Sequence, residues 1–110
     1  MTRREYSAAL FGNRFVAEVV TAIQRLAPAH DGAVTTRLVA SNTGLSDSLV
    51  RPVMLRLAEA GLLTSIERVG GPRSTLRYRI RRAPLWTAVT EACAIIGADS
   101  SADSPATPNA

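Results

Sequence analysis

The chain has no lysine, one cysteine, one histidine and one tryptophan among its 110 residues, and only 5% of it is aromatic. Each shortage excludes something. One cysteine, Cys93, rules out an internal disulfide, and one histidine, His30, rules out a Cys/His metal cluster within one chain. No apolar run approaches the roughly 20 residues of a membrane span. No Ser/His/Asp, Cys/His or paired-carboxylate set is visible, and Gly70-Gly71 is too short to cradle a phosphate, so no enzyme and no cofactor are expected. The start, Met1-Thr2-Arg3-Arg4-Glu5, is charged and no signal-peptide core follows it, so a cytoplasmic, nucleoid-associated protein is expected.

Arginine takes the place of lysine. All thirteen basic residues are Arg against nine acids, a formal net charge of +4. Six of them (Arg68, Arg73, Arg77, Arg79, Arg81, Arg82) fall between residues 68 and 82 with no acid among them. A basic stripe on a small domain suits a polyanion partner; its plain alternative is a solvated charged face.

The stretch 35–50 gives that stripe its context. Ala40 stands four residues before Gly44, and Val50 six after it. A helix-turn-helix needs this spacing: a small residue where the helices cross, a glycine that takes positive φ in the turn, and an apolar residue to fill the gap. Thr35 is placed to cap the first helix, which ends near Thr43. Ser46 is placed to cap the second, with Asp47 in its first turn, and Gly61 to end it near Ala60. Val50, Val53, Met54, Leu57 and Ala58 share its inner side; Ser48, Arg51, Pro52, Leu55 and Glu59 share the outer one. Pro52 cannot donate to the Ser48 carbonyl and crowds it, which predicts a kink or an irregular first turn, or a helix that begins only near Arg51.

Before this unit, Tyr6, Leu10 and Phe11 suggest a short helix over 3–11. Asn13 is a candidate cap for a helix over 14–27, whose buried face is Phe15, Val16, Val19, Val20, Ile23 and Leu26 and which Pro28 ends. His30 reads as an exposed loop residue, and Ala33-Val34 as one short strand. After the unit, 62–69 reads as a strand and 70–74 as a turn. In 75–81, Leu76, Tyr78 and Ile80 alternate strictly with Thr75, Arg77, Arg79 and Arg81, the pattern of a half-buried hairpin. Pro84 opens a last helix bearing Leu85, Trp86, Val89, Ala92, Cys93 and Ile96. From Gly97 on, no aromatic or branched aliphatic residue occurs, and a disordered tail is expected. The fold class is thus mainly α with a small antiparallel β-hairpin (α+β), a winged helix-turn-helix, divided into a lead-in segment 1–12, a DNA-binding domain 13–96 and a tail 97–110.

Such a shape lays its second motif helix, here 46–60, in the major groove, while the wing, here 64–81, reaches the backbone or minor groove. Arg51 and Ser48 lie on the exposed side of that helix, and Arg51 suits either a guanine edge or a phosphate. Thr35, Thr36 and Ser46 sit at helix N-termini that suit phosphate oxygens, with Arg37 and Asp47 beside them. Arg73 and Ser74 are at the hairpin tip, and Arg68, Arg77 and Arg79 line the duplex. Double-stranded DNA is therefore the expected partner; the alternative is a winged helix used for protein–protein contact without DNA binding.

The stretch from Leu10 to about Ile96 resembles the MarR/ArsR-like winged helix regulators of actinobacteria. The resemblance rests on Leu10-Phe11-Gly12-Asn13-Arg14-Phe15, on Thr43-Gly44-Leu45-Ser46-Asp47-Ser48-Leu49-Val50, on Leu57-Ala58-Glu59-Ala60-Gly61-Leu62-Leu63, and on Leu85-Trp86 with the apolar helix after it. It implies a dimeric, sequence-specific transcription regulator, often a repressor, with an unidentified small-molecule effector left open. The Cys and His clusters of the metal-sensing members are missing here, which speaks against metal sensing. A homodimer is also expected because one recognition helix gives limited specificity and the terminal helices carry excess apolar surface. Phe11, Phe15, Leu85, Trp86, Val89, Cys93 and Ile96 are its expected contacts. Cys93 reads as a small core residue, with a redox switch as the rival reading.

Overall fold

A computed structural model describes residues 1–66 and 76–102, with side chains as far as residue 99. It is mainly helical with a small three-stranded antiparallel sheet. The elements are α1 (Arg3–Phe11), α2 (Val16–Leu26), a 3-10 turn (Ala27–His30), β1 (Ala33–Thr35), α3 (Thr36–Thr43), α4 (Asp47–Glu59), β2 (Leu63–Ile66), β3 (Arg77–Ile80) and α5 (Pro84–Ala102).

Helix α1 begins with a capping box: the Thr2 hydroxyl accepts from the Glu5 amide at 3.1 Å, and the Glu5 carboxylate accepts from the Thr2 amide at 2.7 Å. Ser7 is fully buried; its hydroxyl donates to the Asn13 carbonyl at 2.6 Å and accepts from the Ala17 amide at 3.1 Å. That bond corrects one expectation. Asn13 does not cap α2. Its side chain accepts from the Phe15 amide at 2.8 Å, a local turn that Asn favours, and α2 starts only at Val16.

Helix α2 is the centre of the molecule. Val16, Ala17, Val19, Val20, Ala22 and Ile23 are all buried, so it is packed nearly all round rather than along one stripe. Phe15 and Leu26, expected inside, are only half-buried against its ends.

The sheet order is β1-β3-β2, with β3 in the middle. Val34, Tyr78 and Ser65 align across it, as do Leu63 and Ile80, and all of these but Ser65 are buried. The opposite face aligns Thr35, Arg77 and Ile66, then Ala33, Arg79 and Thr64. A hairpin and a separate short strand at Ala33-Val34 were expected; the pairing of that strand, β1, to β3 makes the arginine strand central. The expected turn 70–74, and with it Arg68, Arg73 and Ser74, lies outside the described residues.

Helices α3 and α4 are joined by Gly44-Leu45-Ser46. The Thr35 hydroxyl caps α3 by accepting from the Leu38 amide at 3.1 Å, and Gly44 ends it at φ +79°. Val50, Val53, Met54 and Leu57 are buried on the inner side of α4, and Ser48, Arg51, Pro52, Leu55 and Glu59 are exposed on the other. Two readings are corrected here. Ser46 stands at the cap position, but its hydroxyl pairs with that of Ser48 at 3.0 Å instead of capping the helix. Helix α4 also does not wait for Arg51: it runs unbroken through Pro52 from Asp47. Its first turn is tightened, the Ser46 carbonyl accepting from both Leu49 at 3.0 Å and Val50 at 3.1 Å. At the far end the Leu62 amide reaches the Leu57 carbonyl at 2.9 Å and the Gly61 amide the Ala58 carbonyl at 3.0 Å, closing α4 in a Schellman motif.

Helix α5 packs on α2 through Trp86, Cys93 and Ile96, all buried, and the Trp86 indole donates to the Gln24 side chain at 3.0 Å. It does not stop at Ile96. It continues through Gly97 to Ala102, which corrects the tail expected from Gly97. One glycine inside a helix costs only about 1 kcal/mol relative to Ala, and no proline intervenes before Pro105.

Candidate nucleic-acid interface

The arginines divide by what they touch. Arg4 meets Glu18 at 2.6 Å, Arg56 donates to the Phe11 carbonyl at 2.9 Å, Arg79 donates to the Asp31 carbonyl at 3.0 Å, and Arg25 donates to the Asn42 side chain. Phe11 ends α1 and Asp31 follows the 3-10 turn, so Arg56 and Arg79 answer carbonyls that a helix end leaves open. Both guanidiniums lie close to a glycine: a Cβ on Gly12 would come within 3.3 Å of Arg56, and one on Gly32 within 3.0 Å of Arg79.

Arg37, Arg51 and Arg77 are different. Each is exposed, and among the described residues none of the three side chains has a hydrogen bond or an ion pair, which is true also of Arg14, Arg81 and Arg82 elsewhere on the chain. Arg51 stands on the outer side of α4, one turn after Asp47. Arg37 is in the first turn of α3. Arg77 is aligned with Thr35, the cap of α3, across β1 and β3. The register of the sheet thus sets a free arginine beside the α3 N-terminus. Thr36 is half-buried there, and the Thr35 hydroxyl, which only accepts in the cap, keeps its own proton to donate.

Between α3 and α4 lies an open groove of about 420 Å³ lined by Arg37, Ala40, Ser41, Gly44, Leu45 and Asp47. Ser41 was missed in the sequence, although it stands four residues after Arg37 and so on the same helix face. Of the expected contact residues, the structure brings Thr35, Thr36, Arg37 and Arg77 to one end of α3, and Ser46, Asp47, Ser48 and Arg51 to the start of α4. Arg79 is exposed on the same sheet face as Arg77, and one of its donors is given to the Asp31 carbonyl.

The expected dimer contacts divide as well. Trp86, Cys93 and Ile96 are buried in this chain's own core and have no surface to offer a second copy, a correction to that list. Phe11, Phe15 and Val89 are half-buried; Leu85 is 54% exposed. Leu10 at 63% and Ile95 at 61% are more exposed still and were not foreseen. Burial pushes the Cys93 thiol up to about 11, away from the thiolate that oxidation needs. A second hollow, about 250 Å³, lies between α2 and α5 and is lined by Val20, Thr21, Gln24, Arg25, Thr90 and Ala94.

Among the described residues no group of three or more His, Cys, Asp or Glu could hold a metal ion, and no helix is long and apolar enough to cross a membrane. No family model, curated protein or solved structure matches the chain.

Proposed function

We propose that the chain is a sequence-specific, double-stranded DNA-binding transcription regulator of winged helix-turn-helix type, acting as a homodimeric repressor. The observation that carries this reading is the set of exposed arginines around the α3–turn–α4 unit, Arg37, Arg51 and Arg77, whose side chains have no partner among the described residues. Helix α4 enters the major groove with Ser48 and Arg51 outward, and the α3 N-terminus and Arg77 meet the backbone. The sheet order β1-β3-β2 behind the unit is what a wing between β2 and β3 requires. The proposal extends to the MarR/ArsR-like type that residues 43–50 and 57–63 resemble. The exposed Leu10, Leu85 and Ile95 are the surface a second copy would cover.

The test is binding of labelled genomic duplex, read by fluorescence anisotropy as salt rises. Phosphate contacts by Arg37 and Arg77 on both protomers give a slope of about −3.6 in log affinity against log salt. The absence of duplex binding at low salt would overturn the reading and favour a winged helix used for protein–protein contact. Sedimentation of a monomer at micromolar concentration would remove the dimer from it.

A further inference from the structure

The groove between α3 and α4 has walls of opposite chemistry. Arg37 on α3 offers only donors, and Asp47 on α4 offers only acceptors. Among the described residues neither side chain has a hydrogen bond or an ion pair, with the other or with anything else. One turn further along α4, Arg51 is also unpaired, although an acid four residues before an arginine is the favourable order for a pair. An acid at the first position of a helix complements the dipole, but that uses no lone pair on its outer side.

In an interface with a polyanion, a free carboxylate is repelled unless it meets a donor. The major groove shows few. Guanine presents two acceptors, and thymine an acceptor and a methyl group. Adenine presents an amino group beside an acceptor, N7, which would face the second carboxylate oxygen. Cytosine presents its N4 amino group alone. A groove with an acceptor wall and a donor wall therefore fits a cytidine nucleotide, its amino group on one wall and its phosphate on the other.

Resting on the DNA-binding reading above, we propose that Asp47 is a specificity residue that accepts from the N4 amino group of a cytosine, while Arg37 holds a neighbouring phosphate. Residues 47 and 51 are about 6 Å apart along the helix axis. Arg51 then reads a guanine about two base steps from that cytosine.

The experiment is selection of a preferred site by the full-length protein, followed by titration of every single-base variant of it with wild type, Asp47→Asn and Asp47→Ser. Wild type should prefer cytosine at one position by about tenfold or more. Asp47→Asn should move that preference to adenine, because an amide matches N6 and N7 together. Asp47→Ser should flatten it, with the other positions and the salt slope unchanged in both. A specificity profile that neither variant alters, in proteins that unfold at the wild-type temperature, overturns this proposal alone. A wild type that binds no duplex overturns the DNA-binding reading, and this proposal with it.

Discussion

The surface around α1 and the surface around the α3–α4 turn are built from the same residue types and treat several of their charges differently. Around α1, Arg4, Glu5 and the α1 C-terminus find partners within the chain, while Arg3 and Arg14 have no side-chain hydrogen bond or ion pair among the described residues. Arg4 lies 5.0 Å over the Phe15 ring and pairs with a nearly buried Glu18; Glu5 closes the capping box; Arg56 reaches across from α4 to the α1 C-terminus. Around the turn, Arg37, Asp47 and Arg51 have no answer among the described residues. An unanswered charge in water costs little, so its survival there is no strain. What it does is keep a donor and an acceptor available to something outside the chain. The first region holds the fold and the second is open, and substitutions should separate them.

The largest separation is expected at Arg4. Arg4→Ala leaves the Glu18 carboxylate, 9% exposed, without its partner. Because Arg4 itself is about half in solvent, the loss is about 1–2 kcal/mol rather than the larger cost of breaking a fully buried pair. For a domain of this size that lowers the unfolding midpoint by several degrees. Duplex affinity, measured well below the transition, should not change. A fall in affinity without a fall in midpoint would put α1 in the interface and dissolve the distinction.

How much of this division was legible in the sequence depends on how local the signal is. Caps and breakers are local, and Thr35, Gly44 and Gly61 marked their helix ends correctly. The two faces of α4 and the alternation of β3 are also local periodicities, and both hold. The pairing of β1 with β3 joins residues more than forty apart in sequence, and a three-residue strand has no pattern of its own to announce it. The commitments of Arg56 to Phe11 and of Arg79 to Asp31 are equally remote, and an arginine that caps a distant helix end reads in sequence like one that waits for a ligand. Ser7 failed in the other direction: a polar serine one step from Tyr6 in a short helix gives no sign that it will be fully buried. The stripe of α5 was read as surplus apolar surface because the width of α2's buried face, which takes up Trp86, Cys93 and Ile96, depends on how many helices surround it.

A smaller effect should distinguish two arginines of one strand. Arg77 and Arg79 are both exposed on the same face of β3, yet of their side chains only that of Arg79 has a partner among the described residues. Arg79→Ala should cost about 1 kcal/mol of stability, since it removes one charged donor from an exposed carbonyl, and should leave duplex binding alone. Arg77→Ala should do the reverse: no change in midpoint, and a salt slope shallower by about 0.9 for each bound protomer. Thermal unfolding and anisotropy on the same two preparations decide it. Equal effects of the two variants on both readouts would mean that the hydrogen bond to Asp31 does not set Arg79 apart.

The smallest effect lies in the capping box and is read by pH. The Thr2 amide that donates to the Glu5 carboxylate, and after it the Thr2 hydroxyl, hold the Glu5 carboxyl below its usual range, because they favour the ionised form. A group whose folded value is depressed contributes its stabilisation in full above the ordinary carboxylate range, and loses it as pH falls through the lower folded value. Acidification through that window should therefore loosen the first turn of α1, seen as faster exchange of the Glu5 and Tyr6 amides, whose acceptors are the Thr2 hydroxyl and carbonyl. Glu5 is fully exposed, so the response belongs to local fraying and not to global unfolding. Glu5→Gln keeps an acceptor for the Thr2 amide but has no proton to take up, and its exchange rates, corrected for intrinsic chemistry, should be flat over the same window. The same pH response in Glu5→Gln as in wild type would show that some other carboxylate governs the end of α1, and that its first turn is not closed by its own residues as the comparison with the α3–α4 turn requires.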